Sequence, residues 1–476
     1  MGLKESLDSV FRFLPEIEKP RRKPPLSERL LWTALVLVAY FVMGQTPLYG
    51  IPRQTQGTLG ALEFLRVVMA SKRGTLIELG IGPIVTSGIV WELLVGSRIV
   101  NLDLTTPEGR RTFAGLQKLT AFLFAALEAA AYILGGVYGA LTQQQQIIVF
   151  VQLFVASTFV ILMNDMLEKG WGIGSAVSLF IAAGVAQQIF WELFSPIGPL
   201  GDGLYYGLFP SLFSALVSGN STLLMHVVVR PSGYPDLVGF VGMVVMLLLL
   251  TYMESMKITI PVSSVRFGGA KTRIPLKFLY VSVMPVILVG ALYANVVMFT
   301  QALWPRVNPG NQNPWLNVIA KYNYTEYGPV PLPGSFVYYI SPPRSLASAL
   351  ADPVHLVVYS LLYIGFAVLF GVAWILTSGM DPETQAEQLA KAQLQIPGFR
   401  KSEKVIASML KRYIWGLTIL SSIIIGVIAV VSDIFRVMGG GTGILLLVGI
   451  IVQYYSILAS ERALEMYPSL ARLIGE

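Results

Sequence analysis

Residues 57–96 read GTLGALEFLRVVMASKRGTLIELGIGPIVTSGIVWELLVG, and the reading of this stretch decides the fold. It holds two unequal apolar pieces. The first, Leu59 to Ala70, is interrupted by Glu63 and Arg66 and closed by Ser71-Lys72-Arg73-Gly74. It is too short to cross a bilayer core, which takes roughly 20 apolar residues as helix. The second, Thr75 to Gly96, is long enough but carries Gly80, Gly82, Pro83 and Gly88 in its interior. A half-length piece that dips and returns is tolerated at membrane depth only where protein or a water-filled cavity surrounds it. The stretch therefore predicts a cavity within a membrane, lined or blocked by these residues.

Composition agrees. Of 476 residues, 54% are hydrophobic and 13% charged, with a mean hydropathy of +0.65. Soluble domains carry about 25% charged residues, so the class is an all-α polytopic membrane protein. Apolar runs of this length are not the alternating ten-residue segments of an outer-membrane barrel. The chain has no cysteine, hence no disulfide framework and no thiolate metal site. The net charge of +7 is read first as the cytoplasmic bias of Lys and Arg in membrane proteins.

Leu3, Leu7, Val10, Phe11 and Leu14 share one helical face, which predicts an interfacial amphipathic helix followed by the basic residues Lys19, Arg21, Arg22, Lys23 and Arg29. Ten spans follow, at 30–49, 75–97, 114–141, 147–167, 173–194, 236–256, 276–301, 354–377, 413–435 and 442–460, with the QQQQ at 143–146 read as a short connection. Residues 207–229 are moderately apolar but broken by Pro210, Gly219 and Asn220. With ten spans and the N-terminus inside, the 34 Lys and Arg residues divide 25 inside to 9 outside. A span at 207–229 would make the split 17 to 17. The positive-inside tendency thus keeps 207–229 outside, as a surface or re-entrant segment.

Two sets of five spans suggest an inverted repeat. Pro83 interrupts the second span and Pro285 the seventh; Gly172-Ile173-Gly174-Ser175 opens the fifth and Gly439-Gly440-Gly441-Thr442-Gly443 the tenth. Interrupted helices at matching places in inverted halves mark a pathway.

Catalytic chemistry finds little support. There is no phosphate-binding Gly-x-x-x-x-Gly-Lys-Ser/Thr, no His-Glu-x-x-His, and only two histidines, His226 and His355. Neither a cofactor nor a metal is expected, and no catalytic residue. Glu128 is the clearest acid at mid-membrane, where a charge costs about 2.5–3.5 kcal/mol on insertion scales and calls for a cavity or polar partner. Asn295 and Thr86 are the other notable polar groups within spans. Ile81 and Val85 share a face at i, i+4, as do Val177 and Ile181. If both faces point at one cavity, an apolar constriction can gate by excluding water. The long connections 254–277 and 379–412 carry exposed basic residues that serve as topology anchors or dock an anionic partner such as RNA.

GTLIELGIGPIVTSGIVWELLVGS (74–97), WGIGSAVSLFIAAGVAQ (171–187), KFLYVSVMPVILVGALYAN (277–295), GFRKSEK (398–404) and GGGTGILL (439–446), in this order, resemble the SecY family. The likeness covers essentially the whole chain and leans to the archaeal branch. It implies the large (alpha) subunit of a protein-conducting translocation channel: ten transmembrane helices in two inverted five-helix halves around an hourglass pore, with a short re-entrant plug helix. It also implies SecE-type (gamma) and beta-type small subunits as partners, with signal sequences, nascent polypeptides and lipid, and a ribosome or soluble motor at the cytoplasmic loops.

By this resemblance the pore ring is Ile81, Val85, Val177, Ile181, Ile287 and Leu446, with Val177 where relatives often have isoleucine. The plug, 59–69, includes Leu59, Leu62, Glu63, Phe64, Leu65, Arg66 and Met69. The lateral gate holds Thr86, Glu128 and Asn295, and Met284 replaces an asparagine of some relatives beside it. Arg266, Lys271, Arg273, Arg400, Lys401 and Lys404 are the expected ribosome or motor contacts.

The expected organisation is a cytoplasmic segment (1–29), an N-terminal half (30–235, with an external loop 195–235) and a C-terminal half (236–476). The expected location is the cell membrane, both termini cytoplasmic. The function implied is passive, gated translocation of secretory chains and lateral release of membrane segments. Two other readings are an ion-coupled small-solute transporter with inverted repeats and a membrane-embedded insertase or enzyme without a continuous pore.

Overall fold

Backbone polar groups surrounded by lipid must be satisfied within the chain, so long apolar runs become helices. The structure, a computed structural model, describes residues 14–51, 69–97, 99–104, 106–135, 138, 141–230, 234–264, 270–325, 328–343, 346–391, 394–395 and 403–466. In chain order the elements are α1 (Leu26–Gln45), α2 (Gly82–Gly96), α3 (Pro107–Leu134), α4 (Gln143–Glu168), α5 (Ala176–Phe194), α6 (Leu208–Ser218), α7 (Ser221–Val228) and α8 (Leu237–Ser255). After the hairpin β1 (Lys257–Ser264) and β2 (Ala270–Lys277) come α9 (Met284–Val307) and α10 (Pro314–Ile319). A second hairpin, β3 (Tyr322–Thr325) and β4 (Gly328–Pro331), precedes α11 (Phe336–Ile340), α12 (Leu346–Ala351) and α13 (Pro353–Thr377). Last are α14 (Pro382–Lys391), β5 (Leu394–Gln395), α15 (Glu403–Ile434) and α16 (Gly441–Met466).

Nine of the described helices are long and apolar enough to cross a membrane. They are α1, α3, α4, α5, α8, α9, α13, α15 and α16, and α2, at 15 residues, is the shorter tenth. Caps place several starts: Thr142 and Gln145 form a reciprocal capping box on α4, and Asp236 and Asp352 accept from the amides of Gly239 and His355 at 2.7 and 3.0 Å. Each such cap satisfies an amide that the helix itself leaves unbonded.

Three expected boundaries need correction. The second span is helical from Gly82, not Thr75, and the seventh from Met284 rather than residue 276. Gly80 (φ 55°) and Ser282 (φ 56°) stand in left-handed backbone, which no helix continues through. Pro83 and Pro285 then occupy the first turns, where a missing amide proton costs nothing. The residues between match as well: Ile81 has φ −88°, ψ 1° and Val283 φ −87°, ψ −6°. The two halves thus enter their broken spans through one and the same turn. The third correction is the glutamine run 143–146, which is the first turn of α4 rather than a connection.

Residues 207–229 form α6 and α7, of 11 and 8 residues, hinged at Gly219 and Asn220. Each is too short to cross. The long connections fold too: β1 pairs antiparallel with β2, and β5 from the second connection joins β1 with Ser263 opposite Gln395. Both basic loops therefore meet in one three-stranded sheet, order β2-β1-β5. The principal core lies where α1, α2, α5, α9, α13, α15 and α16 converge.

Candidate pore and lateral seam

Ile81 caps α2 and Val85 lies one turn inside it; α5 supplies Val177 and Ile181, α9 Ile287, and α16 Leu446. Five of these side chains belong to a single buried cluster, and the half-buried Val177 packs against it. α16 packs on α5 and α9, and α9 packs on α2, so helices from both halves are in contact. Glycines three residues to either side of Leu446 permit that approach. A Cβ at Gly443 would lie 3.3 Å from Val185 Cγ1, and one at Gly449 would lie 2.4 Å from Val283 Cγ1. The result is a close-packed apolar junction of α2, α5, α9 and α16.

The tail of the short apolar piece is fastened at Ile81. The Ile81 amide donates to the Met69 carbonyl at 2.9 Å, and the Tyr40 hydroxyl donates to the Ala70 carbonyl at 3.2 Å. Gly80 makes the approach possible, because a Cβ there would lie 2.1 Å from Met69 O. Ser71–Gly74 is tied to the end of the first span: Leu48 donates to the Gly74 carbonyl at 2.9 Å. The Gly74 amide donates to the Glu78 carboxylate, and Lys72 Nζ donates to Gln45 Oε1 at 3.2 Å. Partial burial lowers the Lys72 ammonium from its ordinary value.

Beside the ring runs a polar seam. Asn295 Nδ2 on α9 donates to Thr86 Oγ1 on α2 at 2.7 Å. The Thr86 hydroxyl lies 3.2 Å from Glu128 Oε1 on α3 and 2.8 Å from the Gly82 carbonyl, either of which can take its proton. Glu128 and Asn295 are buried. Below this trio α2 and α3 are fastened by Ser87 and Trp91, which both reach Thr120.

With ring, tail and seam in place, comparison with known proteins assigns the chain. The SecY family model matches residues 75–455, and a model described as the plug domain of Sec61p matches residues 38–74. The chain belongs to the SecY family. The protein translocase subunit SecY of Aeropyrum pernix is 43% identical over 100% of this chain and 99% of its own length. A solved structure described as a protein conducting channel has 35% identity and a TM-score of 0.81, covering 98% of this chain and 99% of that one. Another, described as Sec61 in the canine ribosome–channel complex from the endoplasmic reticulum, has 35% identity and a TM-score of 0.78, with coverage of 98% and 99%. Membership in SecY removes support from the ion-coupled transporter.

Within this SecY-family chain, Ile81, Val85, Ile181, Ile287 and Leu446 lie in the principal buried cluster with Val177 packed against it, and hydrogen bonds join Thr86 to Glu128 and Asn295. Of the expected plug, Leu59, Leu62, Glu63, Phe64, Leu65 and Arg66 lie outside the described residues; Met69 lies within them, buried. Arg266, Arg400 and Lys401 also lie outside, and for Lys271 only the backbone, in β2, is described. Arg273 and Lys404 are exposed.

Sequence reasoning missed three acids within spans, Asp433, Glu92 and Glu192. Asp433, near the end of α15, accepts from the Tyr359 hydroxyl on α13 at 2.8 Å. Glu92 on α2 is buried; its spacing from Val85 was the available signal. Another contact, from the Gly439 amide to Glu192 Oε2 at 2.8 Å, ties the turn before α16 to α5. Among the described residues no group of His, Cys, Asp and Glu is placed to hold a metal ion.

Proposed function

We propose that Ile81, Val85, Val177, Ile181, Ile287 and Leu446 form the constriction of a protein-conducting channel, and that Thr86, Glu128 and Asn295 latch its sideways gate. The observation that carries this reading is the sharing of one short helix. α2 starts with a ring residue bonded to the plug tail and, one turn on, holds the latch to α9. A signal sequence is an apolar helix; packed between α2 and α9, it replaces the latch contacts and reaches lipid. Displacing α2 also shifts Ile81 and Val85, so the gate and the pore open together. Polar segments of the passing chain stay in the pore, because leaving it sideways would bury their unpaired groups in hydrocarbon.

In this role the chain is not an enzyme. The free energy for movement comes from outside it, through the loops gathered on the β2-β1-β5 sheet, with Arg273 exposed on β2 and Lys404 exposed at the start of α15. The similar Sec61 structure in a ribosome–channel complex supports a ribosome as the docking partner, and a soluble motor would use the same face. The 25-to-9 division of the 34 Lys and Arg residues supports both termini, and this sheet, on the cytoplasmic side of the cell membrane. SecE-type and beta-type subunits complete the assembly in this reading.

Deleting residues 59–69 tests it in planar bilayers. The expected result is a persistent ion leak through the idle channel. Conductance equal to that of the intact chain would argue for a membrane enzyme or insertase without a continuous pore.

A further inference from the structure

Glu92 follows Val85 by seven residues within α2. At 100° per residue the two side chains leave the helix within about 20° of each other, about 10.5 Å apart along its axis. Ile81, Val85 and Glu92 therefore follow one stripe, with the acid on the far side of the ring from the plug tail. Glu92 is 6% exposed, and its Oε2 has no hydrogen-bond partner among the described residues. A Cβ at Gly88 would be 3.9 Å from its Oε1 and 4.0 Å from Gln117 Nε2, so a neutral amide of α3 borders the same side of α2. Among the described residues no Lys or Arg forms an ion pair with it, and ionising a carboxyl group buried in this way is expensive unless a cation arrives.

We infer that Glu92 receives the basic residues that precede the apolar core of an incoming signal sequence. This rests on the gate reading above. Thr86 lies six residues back along α2, about 9 Å from the level of Glu92. A signal sequence has an apolar core of about 7–15 residues, preceded by a positively charged segment. As a helix that core is about 10–22 Å long. Seated over the Thr86 latch with its N-terminus on the side of the basic loops, it brings its leading Lys or Arg level with the carboxylate, which leaves α2 about 120° round from Thr86, on the stripe of Ile81 and Val85. The pair then forms as the gate opens, and an acid whose Oε2 has no partner among the described residues of the closed state favours the engaged one.

The test uses the whole channel in reconstituted vesicles and a secretory substrate whose leading Lys residues are kept, neutralised to Gln, or reversed to Glu. The wild-type channel is expected to lose translocation about tenfold on neutralisation, the value of one charge-assisted hydrogen bond. Glu92→Gln should make the Lys and Gln substrates nearly equivalent, and Glu92→Lys should favour the Glu substrate. Because the chain has no cysteine, a Glu92→Cys variant should also form a disulfide with a cysteine placed in the leading segment, and not with one placed in the mature segment. A Glu92→Gln channel that keeps the full tenfold dependence, or a disulfide only to the mature segment, would overturn the assignment. Cysteine pairing from position 86 to the apolar core separates the two readings: its absence defeats the gate itself, whereas its presence with indifference at position 92 defeats Glu92 alone.

Discussion

The Asn295 side chain donates to the Thr86 hydroxyl at 2.7 Å across 209 residues of sequence, joining α9 of the second half to α2 of the first. A polar bond between membrane helices is worth about 0.6 kcal/mol on average and at most about 1.7. Such a bond holds a seam shut without welding it.

Thr86→Val keeps the shape and removes the hydroxyl. It should lower the cost of opening by about 1 kcal/mol, roughly fivefold in the opening equilibrium. Translocation of a substrate with a weakened signal sequence is the readout, and it should rise. An unchanged preference for strong signals would mean that the trio only packs α2 against its neighbours.

Ile81→Gly acts on the ring. Removing a fully buried side chain from the constriction should raise idle ion conductance, with a smaller effect on signal preference than Thr86→Val has. Conductance traces and translocation assays on the same two variants separate the effects. Indistinguishable profiles would defeat the division of α2 into pore and gate.

Gly80→Ala should loosen the plug tail. Left-handed backbone costs a Cβ-bearing residue about 1–2 kcal/mol, and the new methyl would meet Met69 O at 2.1 Å. The Met69 carbonyl must then leave the Ile81 amide. The expected outcome is a flickering leak, smaller than that from deleting 59–69. A tight channel would show that the bond from Ile81 to Met69 contributes nothing to the seal.

Between α5 and α8, Arg230 meets Asp202 through Nε at 2.6 Å and a terminal nitrogen at 3.0 Å, with its side chain fully buried. Asp202→Ala strands that guanidinium, which costs about 3–5 kcal/mol for a buried pair broken on one side. The thermal midpoint of the purified protein should fall by several degrees, and the double variant Asp202→Ala, Arg230→Met should recover most of the loss. A single variant as stable as the wild type would contradict the burial of the pair.

Much of this was legible in residues. Gly80, Gly82 and Pro83 announced the broken second span because left-handed backbone and a missing amide proton are local properties. Glu128, Asn295 and Thr86 stood out because polar groups in apolar runs need partners. Ser282 gave no such notice: a serine in left-handed backbone is held there by its surroundings, which spacing does not encode. The i, i+4 pairs were visible on their own helices, but their convergence depends on how α5, α9 and α16 pack. The joining of two distant loops into one sheet, and the burial of Glu92 and Asp433, are likewise products of tertiary contact.

The central claim is that a polypeptide passes through the ring. The chain's lack of cysteine allows a direct measurement: single cysteines at 81, 287 and 446 on one side, and at the exposed Leu35 and Val38 of α1 on the other, each offered a ribosome-arrested secretory chain carrying one cysteine. Disulfides at 81, 287 and 446 with the translocating segment, and none at 35 or 38, are the predicted result. Bonds confined to 35 or 38, with the three ring positions silent while transport proceeds, would contradict it.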